Sequence, residues 1–376
     1  MKIALVHDYL AQDGGAERVL KAFHDIYPEA PIFVLFHDPE KVPHFKNAHI
    51  IESWLARMPF ISDHFQWYLP FMPRATEHHH LRDFDVVISS TSSFAKGVIT
   101  SPNTLHISYC HTPTRFLWSD THEYVNELRQ SRLVKALLQP IIHRLRIWDQ
   151  VSAGRVDHFI ANSHTVERRI LKYYRRESSI IYPPVDIDRF SISKHLGDYF
   201  VAGGRLVPYK RLDMVIHVFN RLRYPLKIFG TGPEYDHLKS IAGSTVEFVG
   251  KISDDQKADL LSHAQAFIHP QLEDAGVTPL EAMGSGRPVI AYGAGGAAET
   301  VIHGETGLLF PEQTWESLLD TVLHFNPTAW DSNRIREHAE HFNVTHFKES
   351  IQRLVHDRYE EFSRNLNQPR LFTTTA

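Results

Sequence analysis

The sequence is poor in cysteine, in long apolar runs and in excess charge of one sign. Its single cysteine, Cys110, excludes an intramolecular disulfide and any cysteine-based zinc cluster. No apolar run approaches the roughly 18–20 residues that a membrane-spanning helix needs. The 40 Lys and Arg residues against 44 Asp and Glu give a net charge of −4. We therefore expect no nucleic-acid partner, because proteins that coat nucleic acids are basic overall.

The first residues also lack the pattern of a secretory signal, since their apolar stretch is short and ends at His7 and Asp8. We expect a reducing, cytoplasmic location. The composition, with 43% hydrophobic and 22% charged residues, is that of an ordinary globular protein and excludes disordered and fibrous classes. At roughly 150 residues per domain, 376 residues predict two or three domains.

Short apolar runs alternate with helix-length segments in two successive series. The strand-like runs of the first series lie at the N-terminus and at 31–36, 85–90, 104–110 and 158–163. Those of the second series lie at 199–204, 226–230, 246–250, 266–270, 288–293 and 307–310. The alternation predicts an α/β protein with two doubly wound, mostly parallel sheets. Pro183 and Pro184 predict an extended linker between them. Ligands of such sheets bind at the carboxyl ends of the strands, which can face a cleft between the two domains.

Two carboxylates in the second series, Glu273 and Glu281, have seven residues between them. A helix that begins near Thr278 and Pro279 would carry Glu281 in its early turns. Its N-terminus, with the backbone N–H groups of Gly276, Val277 and Thr278, would cradle a phosphate or another anion. The carboxylates suit vicinal hydroxyls, such as those of ribose or a hexose. The alternative is that Glu281 only stabilises the start of its helix.

Two basic residues follow a strand end nearby. Gly203 and Gly204 end the strand, and Arg205 and Lys210 lie around the next turn, where their charges could neutralise a diphosphate. Taken alone, they could equally be solvated loop charges. Asp186 and Asp188 form an Asp-x-Asp pattern, but it follows Pro183 and Pro184 rather than a strand end, so we expect no metal site there.

In the first series, Gly14 and Gly15 follow the first strand, where glycines let a ligand approach the backbone closely. His111 follows another strand end and would lie at the cleft, although a lone histidine can also be structural. Residues 129–176 contain eleven basic residues against three acidic ones. This segment, with apolar residues at 133–142, predicts binding to anionic lipid head groups. The alternatives are a solvated helix face and a helix that packs into the core.

Together these motifs resemble the retaining glycosyltransferases of family 4, which have the GT-B fold of two Rossmann-like domains facing a central cleft. The resemblance covers nearly the whole chain. It rests on GGAE (14–17), YCHTPTR (109–115), IANS (160–163), YPPVD (182–186), GRLVPYKRLD (204–213), FGTGP (229–233), FVG (248–250) and the stretch from Glu273 to Val301. The segment CHTPTRFLW looks most like the bacterial mannosyltransferase branch of surface-polysaccharide and lipopolysaccharide assembly.

The resemblance implies an acceptor-binding domain over 1–185 and a nucleotide-sugar-binding domain over 186–345. It also implies a C-terminal helix over 346–376 that packs back on the first domain and ends in a frayed tail. Position 275 is alanine where the family commonly has an aromatic residue, which affects the shape of the donor pocket.

By position, the resemblance also implies the roles of the site residues. Gly14 and Gly15 would approach the donor phosphates or the acceptor, and His111 the reaction centre. Arg205 and Lys210 would bind the diphosphate. The second domain would supply five further residues. Glu273 would contact the transferred sugar, Gly276 and Val277 the sugar and phosphate, with Thr278 beside them, and Glu281 the ribose hydroxyls.

The expected reaction is transfer of a hexose, mannose, from GDP-mannose to a hydroxyl of a glycan or a lipid-linked acceptor. UDP-sugars are the rival donors. The resemblance implies retention of anomeric configuration without a side-chain nucleophile, and neither a metal nor another cofactor is expected. The enzyme would work in the cytoplasm or on the inner face of the cell membrane. Two alternatives are a nucleotide-sugar 2-epimerase, which needs no acceptor, and a non-catalytic sugar-binding protein.

Overall fold

The computed structural model of the protein describes residues 1–119 and 132–367. The chain divides into two compact units, the first Met1–Tyr182 with Lys348–Ala376 and the second Pro183–Phe347. The division expected from the sequence, at 185/186 and 345/346, is close to these limits. That each part is a domain with its own ligand stays a prediction.

The first unit is built on a seven-stranded sheet whose neighbouring strands are all parallel. Strand order is β3-β2-β1-β4-β5-β6-β7. The central strands are buried along their whole length, as expected of a sheet covered by helices on both faces. The strands are β1 Ile3–His7, β2 Ile32–Val34, β3 Ile50–Glu52, β4 Val86–Thr91, β5 Leu105–Cys110, β6 His158–Ala161 and β7 Ser178–Ile180.

Helices of the first unit connect these strands. They are α1 Gly15–Ile26, α2 Ile61–His64, α3 Met72–Glu77, α4 Arg132–Ala153 and α5 His164–Tyr174. The last helix, α13 Val344–Asn367, begins in the second unit and belongs to the first from Lys348 on. Lys348 donates to Asp25 of α1 at 2.9 Å, which ties the C-terminal helix to the first unit. The expected frayed tail, 368–376, lies outside the described residues.

The second unit has a six-stranded parallel sheet in the order β10-β9-β8-β11-β12-β13. Its strands are β8 Phe200–Gly203, β9 Leu226–Phe229, β10 Val246–Gly250, β11 Phe267–His269, β12 Val289–Tyr292 and β13 Gly307–Phe310. Its helices are α6 Leu212–Leu222, α7 Tyr235–Ile241, α8 Asp254–Ser262, α9 Val277–Gly284, α10 Ala297–Thr300, α11 Trp315–Leu323 and α12 Ser332–Glu340.

Each sheet reverses its strand order at one place, between β1 and β4 in the first unit and between β8 and β11 in the second. In open α/β sheets, ligands bind at the carboxyl ends of the strands that flank such a reversal. In the first unit these ends carry His7 and Ser90, and in the second Gly203 and His269. The fold therefore predicts one ligand-binding place in each unit, at its strand-order reversal. Among the described residues, no helix is both long and apolar enough to cross a membrane.

Candidate functional site

In the second unit, the turn after β11 carries Glu273, and the glycine-rich loop at 293–296 packs against that turn. The N–H of Gly296 donates to the carbonyl of Glu273 at 2.8 Å. A side chain at Gly296 would collide with the backbone of Ala275, so glycine is required for this approach. Ala275 itself is buried beneath the loop. Packing of the glycine-rich loop thus holds the turn in place, with alanine at 275.

Lys210 forms an ion pair with Glu273, so the structure brings these two predicted site residues together. Burial opposes ionisation of Glu273, but Lys210 and His269 more than offset it and hold the pKa of Glu273 below its usual range. Lys210 is the last residue of a short 3₁₀ turn, Pro208–Lys210, and its side chain is buried. Arg205, in contrast, is exposed, and no carboxylate of the described residues forms an ion pair with it.

Helix α9 starts at Val277, one residue before the expected position, after Gly276 in the left-handed conformation at φ +67°. This conformation favours glycine, because residues with a side chain rarely adopt it. The N–H groups of Val277 and Thr278 lie in that first turn and have no partner within the helix. Such N–H groups can bind an anion, and here they follow the turn that carries Glu273.

Glu281 is the fifth residue of α9 and is buried. Its Oε1 accepts a hydrogen bond from Nζ of Lys257, on helix α8, at 2.7 Å. A buried carboxylate with a cationic partner is held in one orientation. That Glu281 binds ribose hydroxyls stays a prediction. Lys257 also lies 3.3 Å from Asp254.

Two residues that contact the predicted ones, Lys257 and His269, were not predicted from the sequence. His269 is the last residue of β11 and is fully buried, and its Nδ1 lies 3.0 Å from Nε2 of Gln271. Its Nε2 lies 3.9 Å from Glu273 and has no hydrogen-bond partner among the described residues. Burial lowers the pKa of His269 to about 4, with Glu273 raising it and Lys210 lowering it. Its position at a strand end was the available signal.

In the first unit, Gly14 is the N-cap of α1 and Gly15 is its first residue, at the end of the turn that follows β1. The N–H of Gly14 donates to Oε2 of Glu17 at 2.9 Å, and this bond closes the turn. A side chain at Gly15 would meet no atom within 4 Å, so the space in front of this glycine is open. That a ligand approaches the backbone there stays a prediction.

His111 follows β5 and lies against β4. Its Nε2 is 2.8 Å from the hydroxyl of Ser90, and Ser90 in turn contacts His7 at the end of β1. Burial lowers the pKa of His111 to about 3, and His7 adds to the effect. His111 is thus neutral near pH 7. His7 and Ser90 did not emerge from the sequence, because their partners are distant along the chain.

Two buried carboxylates fix the loops around His111. Asp8 accepts four backbone N–H groups, those of residues 92–95, at 2.6–2.9 Å. Asp149 of α4 accepts from Lys96, from Thr114 at 2.7 Å and from Trp118 at 2.8 Å. The loop after β4 and the segment CHTPTRFLW after β5 are therefore held at several points each.

The Asp-x-Asp residues face other partners. Asp186 pairs with Arg189 at 3.4 Å, and Asp188 accepts from Asn343 at 3.4 Å. Neither contacts the residues around Glu273 by a hydrogen bond or ion pair that the structure records. That no metal binds there stays a prediction.

The basic segment is less uniform than its sequence indicates. Four of its arginines have partners within the first unit. Arg146 donates to the carbonyl of Leu117, and Arg155 pairs with Glu77. Arg169 donates to Thr112, and Arg176 to the carbonyl of Ala153. Four other basic residues of the segment are exposed: Arg144, Arg168, Lys172 and Arg175. Arg129 lies outside the described residues, and so do the side chains of 132–137.

The apolar residues that interleave this segment correct one expectation. Leu138, Ile141 and Ile142 pack into a core cluster of the first unit instead of facing out, so the core alternative holds for them. Among the side chains that the structure describes in this segment, Ile147, Val151 and Leu171 are apolar and exposed.

Two family models match adjacent parts of the chain. The model described as Glycosyltransferase Family 4 matches residues 13–189, and the model described as Glycosyl transferases group 1 matches residues 186–341. Together they cover residues 13–341.

Known glycosyltransferases are similar to parts of the chain. The D-rhamnosyltransferase WbpZ of Pseudomonas aeruginosa is 27% identical over 207 residues, 50% of this chain and 53% of the relative. A GDP-mannose-dependent alpha-(1-6)-phosphatidylinositol monomannoside mannosyltransferase of Mycobacterium tuberculosis is 31% identical over 170 residues, 37% of this chain and 44% of the relative. The matches thus span about half the length of these relatives.

The crystal structure of HepE from Anabaena in complex with UDP superposes with a TM-score of 0.69 at 18% identity. The match covers 95% of this chain and 100% of that one. At this identity the likeness concerns the fold, two parallel Rossmann-like sheets of the GT-B class.

Proposed function

The chain belongs to the family 4 and group 1 glycosyltransferases, and from this premise we propose that it transfers mannose from GDP-mannose to a hydroxyl of a glycan or lipid-linked acceptor. The acceptor would be an intermediate in the synthesis of a surface polysaccharide. One observation carries the proposal: in the second unit, Lys210, Glu273, the N-terminus of α9 and Glu281 lie around one strand-order reversal. Cationic, anion-binding and hydroxyl-binding groups together match a nucleoside diphosphate sugar.

The donor is bound in three parts in this proposal. Lys210 and the exposed Arg205 take the diphosphate, with the N–H groups of Gly276, Val277 and Thr278. The carboxylate of Glu281, oriented by Lys257, accepts hydrogen bonds from the ribose hydroxyls. Glu273 accepts from hydroxyls of the transferred sugar, for which it must be ionised, and its lowered pKa ensures this at neutral pH.

The chemistry is departure of a nucleoside diphosphate as the glycosidic C–O bond breaks. Negative charge grows on the leaving phosphate, and Lys210, Arg205 and the α9 N-terminus supply positive potential where that charge forms. Preorganised electrostatic stabilisation of this kind is usually the largest catalytic contribution. We propose retention of the anomeric configuration, with the departing phosphate receiving the acceptor proton and no side chain acting as nucleophile.

In the first unit, Gly14 and Gly15 leave space for a ligand, and His111 is the group that meets the sugar at the reaction centre. A nucleotide-sugar epimerase would need no acceptor, so this alternative predicts product formation from the donor alone. A sugar-binding protein without activity would bind donor but release no nucleoside diphosphate.

The nature of the donor is tested by thermal unfolding with a panel of nucleotide sugars. A bound ligand raises the free energy of unfolding by RT ln(1 + [L]/Kd), so the true donor stands out from weaker ones. We expect GDP-mannose to raise Tm most, in accord with the mannosyltransferase relative. A larger rise in Tm with a UDP-sugar would contradict GDP-mannose as the donor.

We further propose that the first unit docks on anionic membranes, which would bring a lipid-linked acceptor to the enzyme. The support is the set of exposed basic residues on α4 and α5, with exposed Ile147, Val151 and Leu171 among them. Each Lys or Arg at an anionic surface contributes roughly 1 kcal/mol, and salt screens the attraction.

Liposome sedimentation tests the docking. We expect binding to anionic vesicles at low salt, release at high salt and weak binding to neutral vesicles. Reversing the charges of Arg168, Lys172 and Arg175 should abolish sedimentation. A control variant with the same number of reversals in the second unit, at exposed Lys194, Lys251 and Arg334, should sediment normally. Equal sedimentation with both vesicle types would contradict the proposal.

A further inference from the structure

Three buried side chains connect His111 to the Gly14–Gly15 turn. Nδ1 of His7 lies 3.0 Å from the carbonyl oxygen of Ser90 and 3.1 Å from its hydroxyl. That hydroxyl lies 2.8 Å from Nε2 of His111. At the other end, Nε2 of His7 lies 3.7 Å from Oε1 of Glu17, whose second oxygen accepts from the N–H of Gly14. His7, Glu17 and Ser90 are 4%, 3% and 0% exposed, so water does not compete for these contacts.

The hydrogen-bonding capacities of these groups fix where the protons lie. A carbonyl oxygen only accepts, so Nδ1 of His7 carries a hydrogen and donates to Ser90. The Ser90 hydroxyl therefore cannot donate to His7. Among the described residues, the remaining acceptor within reach of its one hydrogen is Nε2 of His111. If Nε2 of His111 were protonated instead, the hydroxyl hydrogen of Ser90 would be buried without an acceptor, which costs free energy.

We propose that Ser90 and His7 are positioning residues that hold His111 as a neutral imidazole with its hydrogen on Nδ1. His111 then presents a fixed N–H donor to an oxygen of the sugar. It is neither a general base nor a cation at the reaction centre. This inference rests on the proposed function and adds the protonation state in which His111 takes part. Glu17 links the same chain to the glycine turn, so one set of contacts orients both features of the first unit.

The surroundings of His111 agree with a neutral ring. His7 on β1 and Ser90 on β4 lie on one side. The Tyr109 ring on β5 lies 5.2 Å away between centroids, and Asn162, after β6, donates to the carbonyl of His111 at 2.9 Å. The carboxylate among these contacts is that of Glu17, which lies beside His7 and not beside His111. The pKa of about 3 follows from burial first and from His7 second.

The neighbouring residue on β4 supplies a matched control. Ser89 is also fully buried, and its hydroxyl lies 2.9 Å from Nε2 of a β5 histidine, His106. Successive residues of a strand point to opposite faces, so Ser89 and Ser90 form the same kind of pair on the two sides of one sheet. Ser89→Ala and Ser90→Ala therefore remove the same chemical group from equally buried sites.

We expect Ser90→Ala to lower kcat on the order of 10–100-fold with little change in the KM for donor, because His111 loses its orientation and not its side chain. Ser90→Thr, which keeps a hydroxyl, should restore most of the activity. Ser89→Ala should keep kcat within about twofold of the wild type, since His106 faces away from His111. Equal losses in Ser89→Ala and Ser90→Ala would show a merely structural role and overturn the inference.

The tautomer is read directly by ¹⁵N–¹H correlation spectra of protein labelled at histidine, with His111→Gln used to assign the His111 signals. At pH 7 we expect the wild-type ring to carry its hydrogen on Nδ1 and Ser90→Ala to show a mixture of tautomers. A wild-type His111 protonated at Nε2, or at both nitrogens, overturns the inference whatever the activity. A wild-type protein that transfers sugar from none of the donors overturns the proposed function, whereas the tautomer is measured without substrate.

Discussion

The two candidate sites occupy equivalent places in two similar sheets, yet they are built from different chemistry. The site of the second unit consists of ion pairs, Lys210 with Glu273 and Lys257 with Glu281. The site of the first unit consists of hydrogen bonds among His7, Ser90 and His111, a histidine whose pKa is too low for it to be charged at pH 7.

The difference follows from what each site is proposed to hold. A diphosphate needs fixed positive charge, which a buried lysine can keep only if a carboxylate accompanies it. A sugar hydroxyl needs a directional donor or acceptor, which a neutral imidazole supplies without the cost of burying a charge. The same fold thus carries an electrostatic site in one unit and a hydrogen-bonding site in the other.

The largest expected effect concerns the ion pairs. Lys210→Ala should lower kcat on the order of 10²–10³-fold, as for loss of one preorganised group that stabilises the transition state. Steady-state kinetics on the donor that raises Tm most would measure it. Because Glu273 loses its partner, a fall in stability is also expected, and thermal unfolding separates the two effects. Near-normal turnover would remove Lys210 from the diphosphate site.

The second prediction tests the hydroxyl-binding pair. Glu281→Gln keeps the shape of the side chain but weakens its hydrogen bonds to ribose, since bonds to a charged group contribute about 1.5–3 kcal/mol. Nucleoside diphosphate affinity, measured by calorimetry, should fall on the order of tenfold or more. Glu299→Gln, a change of the same kind in the helix beyond the glycine-rich loop, should bind normally. Unchanged affinity in Glu281→Gln would restrict Glu281 to a structural role.

Much of this arrangement was predictable, and the limits are physical. The alternation of apolar runs predicted both parallel sheets, and Gly276, Lys210, Glu273 and Glu281 were found from local motifs. The partners of these residues were not. His7 meets Ser90 across 83 positions and Lys257 meets Glu281 across 24, so only the folded sheets bring them together. Asp8 was overlooked for the same reason, as its four donors follow a different strand.

The third prediction uses pH to separate the units. In the first unit, burial lowers the pKa of four described histidines to about 3 or 4: His79, His106, His111 and His158. In the second unit, one described histidine has such a pKa, His269. The unfolded chain takes up protons below about pH 6.5, where these folded sites do not. Their contribution to stability is therefore complete above that pH and is lost as pH falls towards 4.

We thus expect the first unit to lose more stability than the second between pH 7 and pH 5. Hydrogen exchange followed by mass spectrometry, corrected for the intrinsic pH dependence of exchange, reads the two units from separate peptides. Carboxylates with a lowered pKa, such as Glu273, contribute to the free energy of unfolding until the pH falls below 5. They therefore do not affect the comparison between pH 7 and pH 5. Equal loss of protection in both units would contradict the difference described here.

The smallest expected effect is that of metal removal. The charge of the leaving diphosphate is assigned to Lys210, Arg205 and the α9 N-terminus, and the Asp186 and Asp188 side chains are engaged elsewhere. Activity should therefore persist in excess EDTA. Loss of activity with recovery on addition of Mn²⁺ or Mg²⁺ would show that a cation shares the diphosphate with Lys210.

The central claim is that the second unit holds a nucleoside diphosphate sugar whose sugar is passed to an acceptor hydroxyl. It is tested most directly by incubating the protein with GDP-mannose labelled with ¹³C in the sugar and with a glycolipid extract, and following GDP and labelled lipid by mass spectrometry. We expect one labelled hexose on an acceptor for each GDP released, and neither product with Lys210→Ala. GDP release without labelled acceptor, or binding of every donor in the panel without release, would contradict it.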